Sequence, residues 1–123
     1  MSASSKTVIT SDAAPAGGPY SPGLIAGGWV FLAGQTAPGE TIEDQVTAAF
    51  EKVSALLAEA GCTLDDVVSC QVHLSDLGAF QRFNAVYEKH FTEPRPVRTT
   101  VGAALLGGAL AELTVVARRP PAQ

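Results

Sequence analysis

RTTVGAALLGGALAELTVVA occupies residues 98–117. Two runs rich in Thr, Val and Leu, Arg98 to Leu105 and Leu110 to Ala117, flank Gly107-Gly108. Such runs around a glycine pair predict a strand, a tight turn and a second strand, that is, a β-hairpin. A two-residue turn sets Glu112 opposite Ala103. A shift of one residue sets it opposite Gly102, on the same face as Thr100 and Arg98. The sequence leaves both registers open. Glu112 stands in the middle of an apolar strand, where a carboxylate must face a cleft, an ion-pair partner or solvent, because buried acids are rare unless paired. Arg98, at the strand entry, is either a solvated cation or a grip for an anion.

Upstream, Val67 to Leu74 alternates and predicts a strand. Ala79 to Phe91 carries Phe80, Phe83, Tyr87 and Phe91 at helical spacing, and Pro94 and Pro96 end it. From Glu43 to Ala60 the apolar residues Val46, Phe50, Val53 and Leu57 again recur at helical spacing. Thr41 with Asp44 resembles an N-terminal capping arrangement, and Gly61 stops the helix. Leu24 to Ala26, Gly27-Gly28 and Trp29 to Leu32 predict a hairpin, preceded by the loop Ala14 to Gly23 and a strand at Lys6 to Thr10. Two helices cannot cover both faces of such a sheet. The expected fold is α+β: a single mixed β-sheet with both helices on one face. The uncovered face also holds apolar residues and requires a partner copy.

At 123 residues the chain fits one domain spanning 1–123, with loose ends at 1–5 and 119–123. Only 16% of residues are charged, too few to clothe a surface that is wholly solvated. The net charge of −4 and the absence of any Lys/Arg cluster argue against nucleic acid, the pair Arg118-Arg119 being too small to count. No apolar run approaches the roughly 20 residues of a membrane span. MSASSKTVIT lacks the apolar core of a signal segment, so the expected location is cytoplasmic, with Cys62 and Cys70 reduced. Cys70, within an alternating apolar strand, is expected to be a small buried hydrophobe.

Familiar chemical signatures are missing. Two His and two Cys lie too far apart for a metal set, and there is no glycine-rich nucleotide loop or GxSxG elbow. His73 is expected at the surface or an interface, and His90 at a helix end.

Over nearly its whole length the chain resembles the RidA (YjgF) family. The similarity runs in order through Ala14-Pro15, Gly18-Pro19-Tyr20-Ser21, Phe31-Leu32-Ala33-Gly34-Gln35, Gln45, Ala60-Gly61, Ser75-Asp76-Leu77, Phe83 to Tyr87, Pro96 to Val101 and Ala111-Glu112-Leu113. This resemblance implies a homotrimer with clefts between subunits. It also implies hydrolysis of 2-imino acids, such as 2-iminobutanoate and 2-iminopropanoate, or of their enamines, to 2-keto acids and ammonia, with no metal or cofactor. Arg98 matches the residue that grips the substrate carboxylate, which suits a guanidinium fork. Glu112 matches the holder of the attacking water, and the backbone carbonyl of Thr100 a second contact to it. Tyr20, Gly34 and Asn84 match residues lining the cleft.

The sequence departs from the family in places. Ala33 stands where many deaminating members have Ser, the loops before Gln45 and Arg98 are short, and Leu106-Gly107-Gly108 replaces a proline-containing turn. These changes border the cleft and keep open an enzyme for another small carboxylated or carbonyl substrate, while the low charge and exposed apolar area keep open a non-catalytic trimeric ligand-binding or protein-protecting scaffold.

Overall fold

The computed structural model describes residues 5–121; of the ends expected to be loose, 1–4 and 122–123 lie outside it. Six strands and two α-helices follow one another as β1 (Lys6–Ile9), β2 (Gly23–Ala26), β3 (Trp29–Leu32), α1 (Ile42–Glu59), β4 (Val67–Leu74), α2 (Phe80–Tyr87), β5 (Val97–Gly102) and β6 (Ala111–Arg118). The strands form one sheet in the order β1-β2-β3-β6-β4-β5. β4 and β5 run parallel and the other pairs antiparallel, so the sheet is mixed, as expected.

Each helix follows from its sequence. Thr41 caps α1 by accepting a 3.1 Å bond from the Asp44 N–H, and Gly61, at φ +74°, turns the chain away after it. Val46, Phe50, Val53 and Leu57 are fully buried along one stripe. α2 is shorter than the aromatic spacing predicts. Beyond Tyr87 the bonds tighten to i→i−3, Lys89 to Val86 and His90 to Tyr87, so the last aromatic residues wind in tighter turns before Pro94 and Pro96. The aromatic cluster still forms: Phe91 meets Phe50 edge-on at 5.5 Å, and the His90 ring stacks on Phe50 at 4.0 Å. Both helices thus share a core against one face of the sheet, to which Val30, Cys70, Val72, Leu113 and Val115 point. Fully burying side chains of this size contributes roughly 1.5–3 kcal/mol each.

The C-terminal hairpin does not exist. β5 and β6 are separated by β4, which pairs Cys70 with Arg98 on one side and with Val115 on the other. The cause is the crossover through α2, which returns β5 parallel to β4 along its free side. The chain then wraps the end of β4: the Ala103 N–H donates to the Leu74 carbonyl at 2.9 Å, and the Ser75 N–H to the Leu110 carbonyl at 3.1 Å. Gly107 and Gly108, at φ +66° and +71°, turn this wrap rather than a hairpin. The partner of Glu112 is accordingly His73, not Ala103 or Gly102.

β4 carries a bulge between Val67 and Ser69. It turns Val67 inward and leaves Val68 exposed, so Val68 does not share the buried face of Cys70, Val72 and Leu74 as simple alternation predicts. The sheet's other face is open and apolar along one row, where Val8, Leu24, Phe31 and Val116 lie side by side.

Cys62 and Cys70 are unpaired and buried. Burial pushes the Cys70 thiol up to about 11, against the smaller opposing pull of Tyr87 and Arg98. A raised folded value favours the native state below the ordinary thiol range, and that contribution is lost as pH rises through about 11. Denaturant titrations from pH 8 to 11.5 are expected to show stability falling with alkali, with a shallower fall in Cys70→Ala. Equal slopes in the two proteins would contradict this account.

Candidate active site

Glu112 lies on β6 with its side chain on the open face, about 30% exposed. Two neighbours confine its carboxylate. Gly34 presses so closely that a Cβ there would sit 2.7 Å from the Glu112 Cδ and 3.0 Å from the Thr114 Oγ1. The backbone of Gln35 holds this approach by exchanging both bonds with Leu113, at 2.8 and 3.0 Å. On the other side stands His73, its Nδ1 3.4 Å from the Glu112 Oε1. The requirement for glycine at position 34 is therefore space rather than an unusual backbone angle.

Arg98 occupies the edge strand β5, in register with Cys70, which places it on the covered face beside α2. Its Nη1 donates to the Asn84 Oδ1 at 2.7 Å. Its guanidinium carbon lies 4.7 Å from the Tyr87 ring centre and 5.5 Å from that of Phe80. Asn84, Tyr87, Glu88, Arg95, Pro96 and Arg98 line a cleft of about 310 Å³ at the sheet edge. The Tyr87 hydroxyl is buried, and desolvation first, then the neighbouring Cys70, pushes its ionisation well above the usual phenol range. Tyr87 therefore serves Arg98 as a neutral aromatic platform.

All the sequence-predicted residues but Tyr20 thus fall into two groups. Arg98, Asn84 and the half-buried Thr100, which is in register with Val72, share the covered face. Glu112 and Gly34 meet at the open face. Within one chain Arg98 and Glu112 are on opposite faces, so of the two placements the sequence left open the shared face is excluded. The register predicted for a hairpin does not apply, because each strand pairs with β4 and neither with the other. Tyr20 is exposed on the loop before β2, where its hydroxyl accepts a 3.1 Å bond from the Gly17 N–H. Sequence reasoning missed His73 and the Tyr87–Phe80 platform. His73 becomes conspicuous once β4 is known to adjoin β6, while the aromatic residues of α2 read simply as core.

The residues also match known proteins. The family described as endoribonuclease L-PSP matches residues 10–119. A RutC family protein of Saccharolobus solfataricus is 39% identical, covering 93% of this chain and 98% of that protein. RidA from an Antarctic Psychrobacter has a similar crystal structure, with TM-score 0.87, 32% identity, and coverage of 91% of this chain and 98% of that one. TdcF of E. coli, solved with bound serine, superposes with TM-score 0.86 at 30% identity, covering 93% and 99%.

Gly34→Ala tests the packing around the carboxylate. The added methyl is expected to drive Glu112 into another rotamer and to destabilise the fold by about 1–3 kcal/mol. A crystal structure of the variant with Glu112 unmoved would refute the steric account.

Proposed function

This chain belongs to the YjgF/RidA family, and we propose from that premise that it hydrolyses reactive 2-imino acids or their enamines to 2-keto acids and ammonia. We further propose that it works as a homotrimer, in the cytoplasm, without metal or cofactor, and that its sites lie between subunits. The observation that carries this reading is the fixed guanidinium of Arg98. One nitrogen is tied to Asn84 and the plane is backed by Tyr87, which leaves a donor edge toward the cleft for a small carboxylate. The serine bound to the similar TdcF carries such a carboxylate.

The opposite-face placement supports assembly. Arg98 and Glu112 belong to one cleft only if a second copy brings its open face against the edge of the first. The apolar row through Phe31 and Val116 gives that face a reason to associate.

In such a cleft Arg98 binds the substrate carboxylate and the iminium carbon is already electrophilic, so positioning and proton transfer make up most of the catalysis. Water attacks the carbon while Glu112 takes one of its protons, which gives a neutral carbinolamine. Glu112 returns the proton to nitrogen. The C–N bond then breaks as the carbonyl forms, and the hydroxyl proton leaves with ammonia as ammonium. Tyr20, Gly34 and the Thr100 carbonyl complete the lining in this proposal.

The family description names an endoribonuclease, but the net charge of −4 offers RNA no basic groove. A second reading is favoured by Ala33, which lacks the hydroxyl of many deaminating relatives. It is an enzyme for another small carboxylated or carbonyl substrate; the low charge and the open apolar row favour instead a scaffold that binds such a ligand without turnover.

Purified protein is expected to sediment as a trimer and to accelerate ammonia release from freshly generated 2-iminobutanoate. Arg98→Ala and Glu112→Gln should each abolish the rate, and co-expression of the two variants should restore part of it through mixed trimers. A wild-type rate equal to buffer sinks the deaminase reading, and a rate that mixing never restores sinks the shared cleft.

A further inference from the structure

His73 is the neighbour of Glu112 that no part of the proposed reaction yet uses. The two are direct cross-strand partners on β4 and β6, so the sheet itself holds them together. The His73 Nδ1 is shielded from solvent and makes no hydrogen bond of good geometry. The Glu112 Oε1 stands 3.4 Å from it, the ion-pair partner it has among the described residues. A ring nitrogen buried without a partner is costly, and a small rotation of either side chain would satisfy it.

The surroundings leave the carboxylate few alternatives. Gly34 and Thr114 close one side. The flanking open-face row holds Thr114, Gln71 and Thr99, and the third residue in the His73–Glu112 row is Val101. None of these four can ionise, so along these two rows His73 and Glu112 have only each other as a charged or chargeable partner.

We infer that His73 is a positioning residue for Glu112, its Nδ1–H donating to Oε1 and fixing the carboxylate rotamer while Oε2 stays beside Gly34. The inference rests on the proposed role of Glu112 as proton acceptor. A proton on Nδ1 is present in the imidazolium and in one neutral tautomer, so the role needs a donor at that position and no fixed charge. Orientation of a proton acceptor acts on turnover rather than on carboxylate binding, because Arg98 supplies the latter.

Two variants separate positioning from mere packing. His73→Leu keeps bulk and removes the donor, whereas His73→Asn places an amide N–H near the position of Nδ1. With 2-iminobutanoate, His73→Leu is expected to lower kcat by roughly 10- to 100-fold with KM little changed, the scale set by misplacing a reacting group by about an ångström. His73→Asn should recover most of that loss. A kcat for His73→Leu equal to wild type, with Glu112→Gln inactive, overturns the inference and leaves the deaminase reading intact. So does a loss that Asn fails to recover. Should wild-type protein be inert toward imines, crystal structures of the two variants still decide: Glu112 swings away in His73→Leu and stays in His73→Asn if the inference holds. An unmoved carboxylate in both overturns it.

Discussion

The architecture depends on the insertion of β4 between β5 and β6. β4 bonds to both neighbours along nearly its full length, from Ser69–Val97 to Leu74–Gly102 on one side and from Val67–Ala117 to Leu74–Ala111 on the other. The wrap of residues 103–110 around its end follows from that position, as do the burial of Cys70, Val72 and Leu74 under the helices and the pairing of His73 with Glu112. Outside the bulge at Val68 side chains alternate along each strand, so the register through β4 also fixes which face every residue of β5 and β6 occupies. Arg98 aligns with Cys70 and points to the covered face; Glu112 aligns with His73 and points to the open one. No rotamer change carries either side chain through a sheet.

The same constraint shapes the two halves of the candidate site differently. Arg98 is held by side chains: Asn84 fixes the guanidinium and Tyr87 supports its face, and both come from α2, which packs on the sheet through Phe83. Glu112 is held by backbone: the bridge from Gln35 to Leu113 brings Gly34 against the carboxylate, and the β4–β6 ladder brings His73. Backbone placement is hard to perturb by single substitutions away from the contact, which makes Gly34 and His73 the sensitive points of that half. Lys52 adds a further tie to the same segment by donating to the Thr36 carbonyl at 2.9 Å, so α1 anchors the loop that follows Gly34.

Local features of the fold were legible in the sequence because local rules produce them. The first hairpin is where Gly27-Gly28 puts it, α1 begins at its Thr41 cap and stops before Gly61, and the mixed sheet with a bare face follows from counting helices. The partner of β6 was not legible. Two strands joined by a glycine pair ordinarily close on each other, and what prevents that here is long-range: α2 delivers β5 alongside the side of β4 that β6 does not occupy. The Val68 bulge likewise leaves no mark on an alternating string of valines. At the candidate site, Arg98, Glu112, Asn84 and Gly34 were singled out by resemblance, but which of them share a face stayed open, because that is a property of the sheet order. His73 was passed over for the same reason, since a histidine on a strand means little until its cross-strand neighbour is known.

The open face then sets a physical condition on any assembly. Glu112 is about 30% exposed and relies on water for part of its solvation. A second copy laid over the apolar row through Phe31 and Val116 would strip that water from the carboxylate as well; His73 faces Oε1 alone, and a carboxylate whose Oε2 has no partner in a closed cleft is strongly unfavourable. Closure is tolerable only if the incoming surface carries a cation or a hydrogen-bond donor. The surface this chain offers for that purpose is its own β5 edge, where Arg98 is already desolvated on one side by Tyr87 and tied to Asn84. In the proposed trimer the charge at the edge of one subunit is thus the complement of the charge on the open face of the next. A small anionic substrate bound by Arg98 would unbalance the pair, and an iminium nitrogen on that substrate would restore the balance. The proposed cleft would therefore disfavour a plain carboxylate and favour one that carries its own positive charge beside Glu112.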